Sequence, residues 1–138
     1  MKFYIASRLD NADQVKKLAA VLKAFGWEQT YDWTKHGSVQ DKGEVALSHA
    51  AEGELAGIRI ADIVIVLLPG GKGTHAELGA ANMWKKPVFL WSETPDPFKF
   101  DENTCAFYWN ENVHRIIGDI LNLVIILFEF ATCKKFDE

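Results

Sequence analysis

The chain has 138 residues, a formal net charge of −4 and a hydrophobic content of 49%. This length suits a single domain over residues 1–138, with enough apolar residues to build a core. The net charge and the lack of a basic stripe argue against binding to a nucleic acid polymer, but they leave room for a local anion site that takes a free nucleotide.

Cysteine and histidine usage limits the chemistry further. The two cysteines, Cys105 and Cys133, are too few for a disulfide framework, and we expect both to be reduced. The four histidines are scattered without metal-ligand spacing, so we expect no metal and no other cofactor. The most apolar stretch, residues 116–131, is interrupted by three polar residues and a glycine, which excludes a membrane span. Without a signal-peptide pattern at the N-terminus, we expect a cytoplasmic protein.

The chain begins with a strand–helix–strand pattern. Residues 2–7 are predicted to form a strand with an apolar centre. A helix is predicted to start at about Asp10 and to stop at Gly26, and residues 27–31 alternate enough for a second strand. Two strands joined by a helix predict the start of a parallel sheet.

The loop over residues 31–37 leaves the carboxyl end of the second strand, where open α/β sheets bind ligands. In this loop, Trp33 could stack on a nucleobase and Asp32 could bind a base or sugar edge. The alternative is that Trp33 packs over the edge of the sheet.

A helix is predicted from about residue 38 to residue 60, and its glycines could divide it into two pieces. It carries Glu44, Glu52 and Glu54, which on a helix surface would ordinarily be solvated.

The chain is organised around residues 61–81, ADIVIVLLPGGKGTHAELGAA. The six apolar residues 63–68 predict a strand buried on both faces. Residues 69–71, Pro-Gly-Gly, end that strand, and a helix is predicted to follow from Lys72. A parallel strand, a glycine-rich turn and a helix N-terminus together make an anion or nucleotide pocket.

Glu77 lies about one turn into that helix. The helix dipole and nearby amides favour the charged form, so we expect Glu77 to be ionised. An ionised, partly enclosed carboxylate that faces a sugar could act as a nucleophile. The alternative is that Glu77 has the ordinary capping role of an acidic residue in a first helical turn.

The rest of the chain completes the sheet. A fourth strand is predicted over residues 86–91, a surface loop over 92–103, a fifth strand over 105–109 and a last helix over 112–132. The fold is then α/β and flavodoxin-like or Rossmann-like, with five parallel strands in the order 2-1-3-4-5 and helices on both faces. The broad apolar arc of the last helix exceeds what one sheet can cover and predicts a homodimer or larger homo-oligomer.

The segment ADIVIVLLPGGKGTHAELGAA resembles the signature of the nucleoside 2-deoxyribosyltransferase-like family. That family includes nucleoside deoxyribosyltransferases and nucleotide N-glycoside hydrolases, and the resemblance, closest to a bacterial subgroup, extends from residues 2–7 to residues 107–109. It implies that Glu77, in the Glu-Leu-Gly-x-Ala pattern, is the nucleophile. It also implies that Glu54, eight residues before Asp62, acts near the leaving base, where the family usually has Asp.

The resemblance implies an enzyme that cleaves or transfers at the N-glycosidic bond of a nucleoside or nucleoside 5′-monophosphate, through a covalent glycosyl-Glu77 intermediate. Gly71 stands where relatives carry an Asp or a phosphate-binding Ser, so Lys72 or Thr74, with Ser7 and Arg8, could hold a phosphate instead. Phe3 aligns with a substrate-facing Tyr of many relatives, and Tyr4 is expected to point to the other face of the sheet. The expected substrate-binding residues are Phe3, Ala6, Ser7, Arg8, Asp32, Trp33, Gly71, Lys72, Gly73, Thr74 and His75.

Two other functions remain open at this point. One is a nucleotide-sensing module that binds without turnover. The other is an NAD glycohydrolase, as in TIR-like domains, which would use the same carboxylate chemistry on a different leaving group.

Overall fold

The computed structural model describes residues 1–137, with side chains described through residue 134. Five parallel strands form one sheet in the order β2-β1-β3-β4-β5. The strands are β1 (Lys2–Ala6), β2 (Glu28–Gln29), β3 (Ile63–Leu67), β4 (Val88–Ser92) and β5 (Val113–Ile117). The predicted α/β fold and strand order are therefore confirmed.

Four α-helices cover the sheet: α1 (Ala12–Ala24), α2 (Glu44–Ile60), α3 (Lys72–Met83) and α4 (Ile120–Asp137). Ile5, Ile65 and Phe89 are register partners across the sheet and so share one face. Phe130 of α4 packs on Phe89 with ring centroids 5.0 Å apart, which places α4 on that face. Side chains alternate along a strand, so Tyr4 points to the opposite face, where it meets α2 and α3.

The core explains why the central elements form as predicted. All five residues of β3 are fully buried, because helices cover both faces of this central strand. α2 is one continuous helix that begins after Gly43, so the predicted start near residue 38 and the division at its glycines are wrong. Within residues 1–137, every helix is too short or too polar to cross a membrane.

The prediction for residues 105–119 is wrong in two respects. Ala106–Trp109 form a 3-10 helix rather than a strand, and the fifth strand is Val113–Ile117, which had been assigned to the last helix. Gly118 has a φ of +114°, which ends the strand, and the Asp119 side chain accepts a hydrogen bond from the Leu121 N–H at 2.8 Å. α4 therefore starts at Ile120. The short edge strand was hidden in the apolar run that continues into α4.

Candidate functional site

The carboxyl ends of β1 and β3 lie side by side at the point where the strand order reverses, which is where ligands bind in open α/β sheets. The hydroxyl of Ser7 donates to the carbonyl of Leu67 at 2.8 Å, and Asn11 Nδ2 donates to Ser7 Oγ at 2.9 Å and to the carbonyl of Pro69 at 3.2 Å. These bonds tie the two strand ends together. The one hydroxyl hydrogen of Ser7 is thus donated to Leu67 and helps to hold the turn.

The glycine turn leads into α3 through a cap made by its own residues. The Gly71 N–H donates to Thr74 Oγ1 at 3.0 Å, and Thr74 is only 3% exposed. A Cβ on Gly70 would lie 2.7 Å from Thr74 Cγ2, so the turn requires glycine at that position. Thr74 and the Gly71 amide are thus used within the turn, while Lys72 and Gly73 are exposed at the start of the helix.

Glu77 is buried in α3, and its Oε2 has no hydrogen-bond partner within residues 1–137. Burial, and then the charge of Glu54, raise the pKa of Glu77 from 4.5 to about 8, while its contact with the Tyr4 hydroxyl acts in the opposite direction. At neutral pH this pKa favours the protonated form of Glu77, in contrast to the ionised form expected from the sequence. The loss of hydration outweighs the help that a helix N-terminus gives.

Tyr4 is the functional candidate that the sequence reasoning missed. It is fully buried, and its hydroxyl lies beside the Glu77 carboxyl without making a hydrogen bond of regular geometry. Burial and the nearby charges of Glu77 and Glu54 raise the pKa of Tyr4 well above its usual value. Phe3, which was expected to bind substrate, is also fully buried but points to the other face of the sheet, away from Tyr4 and Glu77. Ala6 shares the face of Tyr4 and is fully buried at the end of β1.

Glu54 lies half-buried on α2 and acts electrostatically on Glu77 and Tyr4. Burial raises the pKa of Glu54, and the nearby His36 partly offsets this rise. Glu54 is thus not a freely solvated helix residue, and the structure brings it to the same site as Glu77.

Two glycines let α2 approach the site. A Cβ on Gly53 would lie 2.6 Å from Tyr31 Cε2, and a Cβ on Gly57 would lie 2.7 Å from Tyr31 Cβ and 3.1 Å from Tyr4 Cδ2. The sequence analysis treated these glycines as helix interruptions. Their contacts show instead that they allow a close approach, which brings Glu54 towards Tyr4.

The loop after β2 contributes differently from what was expected. Trp33 is 6% exposed and its Nε1 donates to the carbonyl of Ile5 at 2.8 Å, so the packing alternative is correct and the face of Trp33 is not open for stacking. The Asp32 carboxylate accepts from the backbone N–H and the hydroxyl of Thr34 and thereby caps a short 3-10 helix. His36 is the loop residue that acts electrostatically on Glu54, and no spacing in the sequence predicted this role.

Of the remaining expected substrate-binding residues, His75 is fully engaged within the protein. Its Nδ1 is 2.7 Å from the carbonyl oxygen of Gly71 and its Nε2 is 2.7 Å from the hydroxyl of Tyr108. Arg8 is exposed and pairs with Asp10 at 2.6 Å. Lys72 and Arg8 are therefore the accessible cations beside the turn.

A cleft of about 510 Å³ opens next to the loop that follows β2 and is lined in part by Tyr31, Asp32 and His36. Another cleft, of about 500 Å³, lies elsewhere and is lined in part by Met1, Asp62 and Phe128. Among the described residues, no group of three or more His, Cys, Asp or Glu side chains is placed to hold a metal ion.

The chain is thus a doubly wound α/β domain in which a buried glutamate lies beside a strand tyrosine. The profile of the family described as nucleoside 2-deoxyribosyltransferase matches residues 3–123. The chain belongs to this family, as its central segment had indicated.

Two solved structures are similar in fold. The CMP N-glycosidase BcmB of Clostridium botulinum superposes with a TM-score of 0.63 at 19% identity, covering 92% of this chain and 98% of that chain. The 2-deoxyribosyltransferase of the psychrotolerant bacterium Bacillus psychrosaccharolyticus superposes with a TM-score of 0.67 at 22% identity, covering 89% of this chain and 90% of that chain. No curated protein matches the sequence at a significant level.

Proposed function

We propose that the protein cleaves or transfers at the N-glycosidic bond of a nucleoside or nucleoside 5′-monophosphate, with Glu77 as the nucleophile. The observation that carries this proposal is the buried Glu77 carboxyl, flanked by the Tyr4 hydroxyl and within electrostatic reach of Glu54, next to the carboxyl ends of β1 and β3. Membership of the nucleoside 2-deoxyribosyltransferase family supports it.

The two carboxyl groups suit different roles. Glu77, once ionised, attacks C1′ of the sugar, the C1′–N bond breaks, and its electron pair leaves with the base. Burial raises the pKa of Glu54, so Glu54 can take up a proton and pass it to the departing base, and while it holds that proton it does not oppose the ionisation of Glu77. Water or a second base then attacks C1′ and releases the Glu77 carboxylate. This displacement involves no redox change, so we expect no redox cofactor.

Glu77 must lose its proton before it can attack the sugar, so the site must control this deprotonation. With a pKa of about 8, most Glu77 is protonated at pH 7, which would slow attack on C1′. The Tyr4 contact favours the charged form and so helps to generate the nucleophile. The same raised pKa is the one observation that favours the alternative of a nucleotide sensor that binds without turnover.

A 5′-phosphate would be held at the start of α3. Lys72 is exposed there and Arg8 lies across the turn, with its Cβ 3.7 Å from the position that a Cβ on Gly71 would take. The first amides of a helix have no acceptor within the helix and attract anions. This arrangement favours nucleotides over nucleosides as substrates.

The test is to incubate the purified protein with a panel of nucleosides, nucleoside 5′-monophosphates and NAD and to measure the released base. Glu77→Gln should abolish release, whereas Glu52→Gln, a change at an exposed glutamate of α2, should not. Acid quenching followed by intact mass measurement should show a glycosyl adduct on the wild type but not on the Glu77→Gln variant.

Base release by the Glu77→Gln variant at the wild-type rate would refute the nucleophile assignment. Binding of a nucleotide without release would support the sensor instead, and release of nicotinamide alone would support an NAD glycohydrolase.

A further inference from the structure

The side chain of His75 joins two parts of the protein that are far apart in sequence. Its Nδ1 is 2.7 Å from the carbonyl oxygen of Gly71, in the glycine turn, and its Nε2 is 2.7 Å from the hydroxyl of Tyr108, in the connection between β4 and β5. A carbonyl oxygen can only accept, so Nδ1 carries a hydrogen. In the neutral ring Nε2 then accepts, and the Tyr108 hydroxyl donates to it.

On the turn side, this contact acts on the residue that starts α3. The Gly71 carbonyl accepts both the His75 side chain and the His75 backbone N–H, the latter at 3.2 Å, while the Gly71 N–H is held by Thr74. Gly71 is thus fixed at both of its polar groups. Glu77 follows His75 by two residues in the same helix, so the orientation of this first turn determines where the Glu77 carboxyl lies.

On the other side, Tyr108 is itself well fixed. Its ring is buried and lies edge-on to Phe98, and its backbone carbonyl accepts from Arg115 Nη1 at 2.8 Å. The neighbouring Phe107 carbonyl accepts from Asn82 Nδ2, in α3, at 3.1 Å. The 3-10 helix at Ala106–Trp109 is therefore anchored to β5 and to the second half of α3, and it offers His75 a rigid hydrogen-bond partner.

We propose that His75 is a positioning residue for the glycosyl-transfer site: by holding the Gly71 carbonyl against Tyr108, it fixes the turn and the first turn of α3, and with them the Glu77 carboxyl. The proposal rests on the proposed function. It differs from the substrate-binding role expected for His75, because both ring nitrogens are already used within the protein.

The chain offers variants that separate the two bonds. An asparagine in place of His75 puts an amide near the position of Nδ1 and keeps a donor for Gly71 but loses the bond to Tyr108, so His75→Asn should lower kcat by only about threefold. His75→Ala removes both bonds and should lower kcat about tenfold while KM changes by less than threefold. Tyr108→Phe removes one hydroxyl and should lower kcat about threefold. His49→Ala, at an exposed histidine of α2, is the matched control.

Thermal unfolding of each variant, measured alongside, distinguishes positioning from general stability. A smaller loss of kcat in the His75→Asn variant than in the His75→Ala variant, with equal unfolding temperatures, supports positioning. Equal loss of kcat in the His75→Ala and His75→Asn variants, or a His75→Ala kcat within twofold of wild type, overturns it.

A readout without substrate keeps this proposal distinct from the proposed function. Long-range ¹⁵N–¹H spectra should show His75 as the Nδ1–H tautomer in the wild type at pH 8. An Nε2–H tautomer would overturn the proposal whatever the activity. A wild type that shows the Nδ1–H form but releases no base from any substrate would overturn the proposed function and, with it, the role of His75 in glycosyl transfer.

Discussion

Tyr4 of β1 places its hydroxyl beside the carboxyl group of Glu77 in α3, and both groups are buried. The tyrosine is neutral at physiological pH, so it offers a donor to the ionised glutamate without adding charge. Glu54 opposes this effect because its negative charge raises the pKa of Glu77. The balance between these two neighbours sets the protonation of the proposed nucleophile.

The first prediction concerns stability. Glu77 has a pKa of about 8 in the folded protein and an ordinary value of 4.5, so the unfolded chain loses its proton first as pH rises. The contribution of Glu77 to the free energy of unfolding therefore falls between pH 4.5 and pH 8 and stays low above that. At about 1.4 kcal/mol per pKa unit, the cost reaches on the order of 3–5 kcal/mol.

Glu77→Gln removes this cost and should unfold at higher denaturant concentration than the wild type at about pH 8.5, with little difference at about pH 4.5. Chemical denaturation at the two pH values checks it, with Glu52→Gln as the control. A Glu77→Gln variant that is no more stable than wild type at the higher pH would contradict the buried, protonated state of Glu77.

The second prediction uses the two neighbours of Glu77 as a matched pair. Tyr4→Phe removes the contact that favours the charged form and should raise the pKa of Glu77. Glu54→Gln removes a negative charge and should lower it. The acid limb of the pH dependence of kcat/KM should therefore move to higher pH for Tyr4→Phe and to lower pH for Glu54→Gln. Titration of the Glu77 carboxyl carbon by NMR measures the same pKa directly. Shifts in the same direction would contradict this electrostatic account.

Glu54→Gln should have a further effect on the departing base, and this is the third prediction. Loss of a general acid typically costs about 10²–10⁴-fold in rate, and the loss should be larger for bases that leave poorly without a proton. Rates for a poor and a good leaving base, measured side by side, test this. A small and equal effect on both would show that Glu54 acts on Glu77 but not on the base.

The fourth prediction concerns the glycines of α2. An alanine at position 57 would force Tyr31 and Tyr4 to move, since the new Cβ would lie 2.7 Å and 3.1 Å from them. Gly57→Ala should therefore lower the free energy of unfolding by about 1–3 kcal/mol and reduce turnover. Gly79→Ala in α3 meets no atom within 4 Å and should instead stabilise the protein by roughly 0.5–1 kcal/mol. Denaturant unfolding measures the free energy of unfolding of both variants. A Gly57→Ala variant as stable as the wild type would show that Tyr4 is not held tightly.

The fifth prediction is a homodimer or larger assembly that uses α4. Leu121 is 60% and Ile125 49% exposed on one side of this helix, whereas Leu123 and Leu127 are buried against the sheet. Burying each exposed aliphatic fully would contribute roughly 1.5–3 kcal/mol. Leu121→Asp should dissociate the assembly in sedimentation at micromolar concentration, and Val45→Asp, at an exposed valine of α2, is the control. A clean 15.5 kDa wild-type species would refute the dimer.

The sequence alone was sufficient to place β3, the glycine turn and α3, and hence Glu77, because these depend on local patterns. An uninterrupted apolar run predicts a fully buried strand, and a Pro-Gly-Gly turn can end it in only a few ways. The alternation of strands and helices predicted the parallel sheet, and the choice of a flavodoxin-like fold supplied the strand order. The same reasoning failed for β5, since a short edge strand has little apolar pattern of its own and merged with the apolar start of α4.

Only the tertiary structure decided what surrounds Glu77. Whether Phe3 or Tyr4 faces α3 depends on the pairing of β1 with its neighbours, and a shift of one residue would exchange their faces. The half-burial of Glu54 depends on how closely α2 approaches Tyr31 and Tyr4. Gly53 and Gly57 permit this approach, but their presence in the sequence does not predict it. The protonation of Glu77 is set by desolvation and by its neighbours Tyr4 and Glu54, and both effects arise from contacts between residues that are distant in the chain.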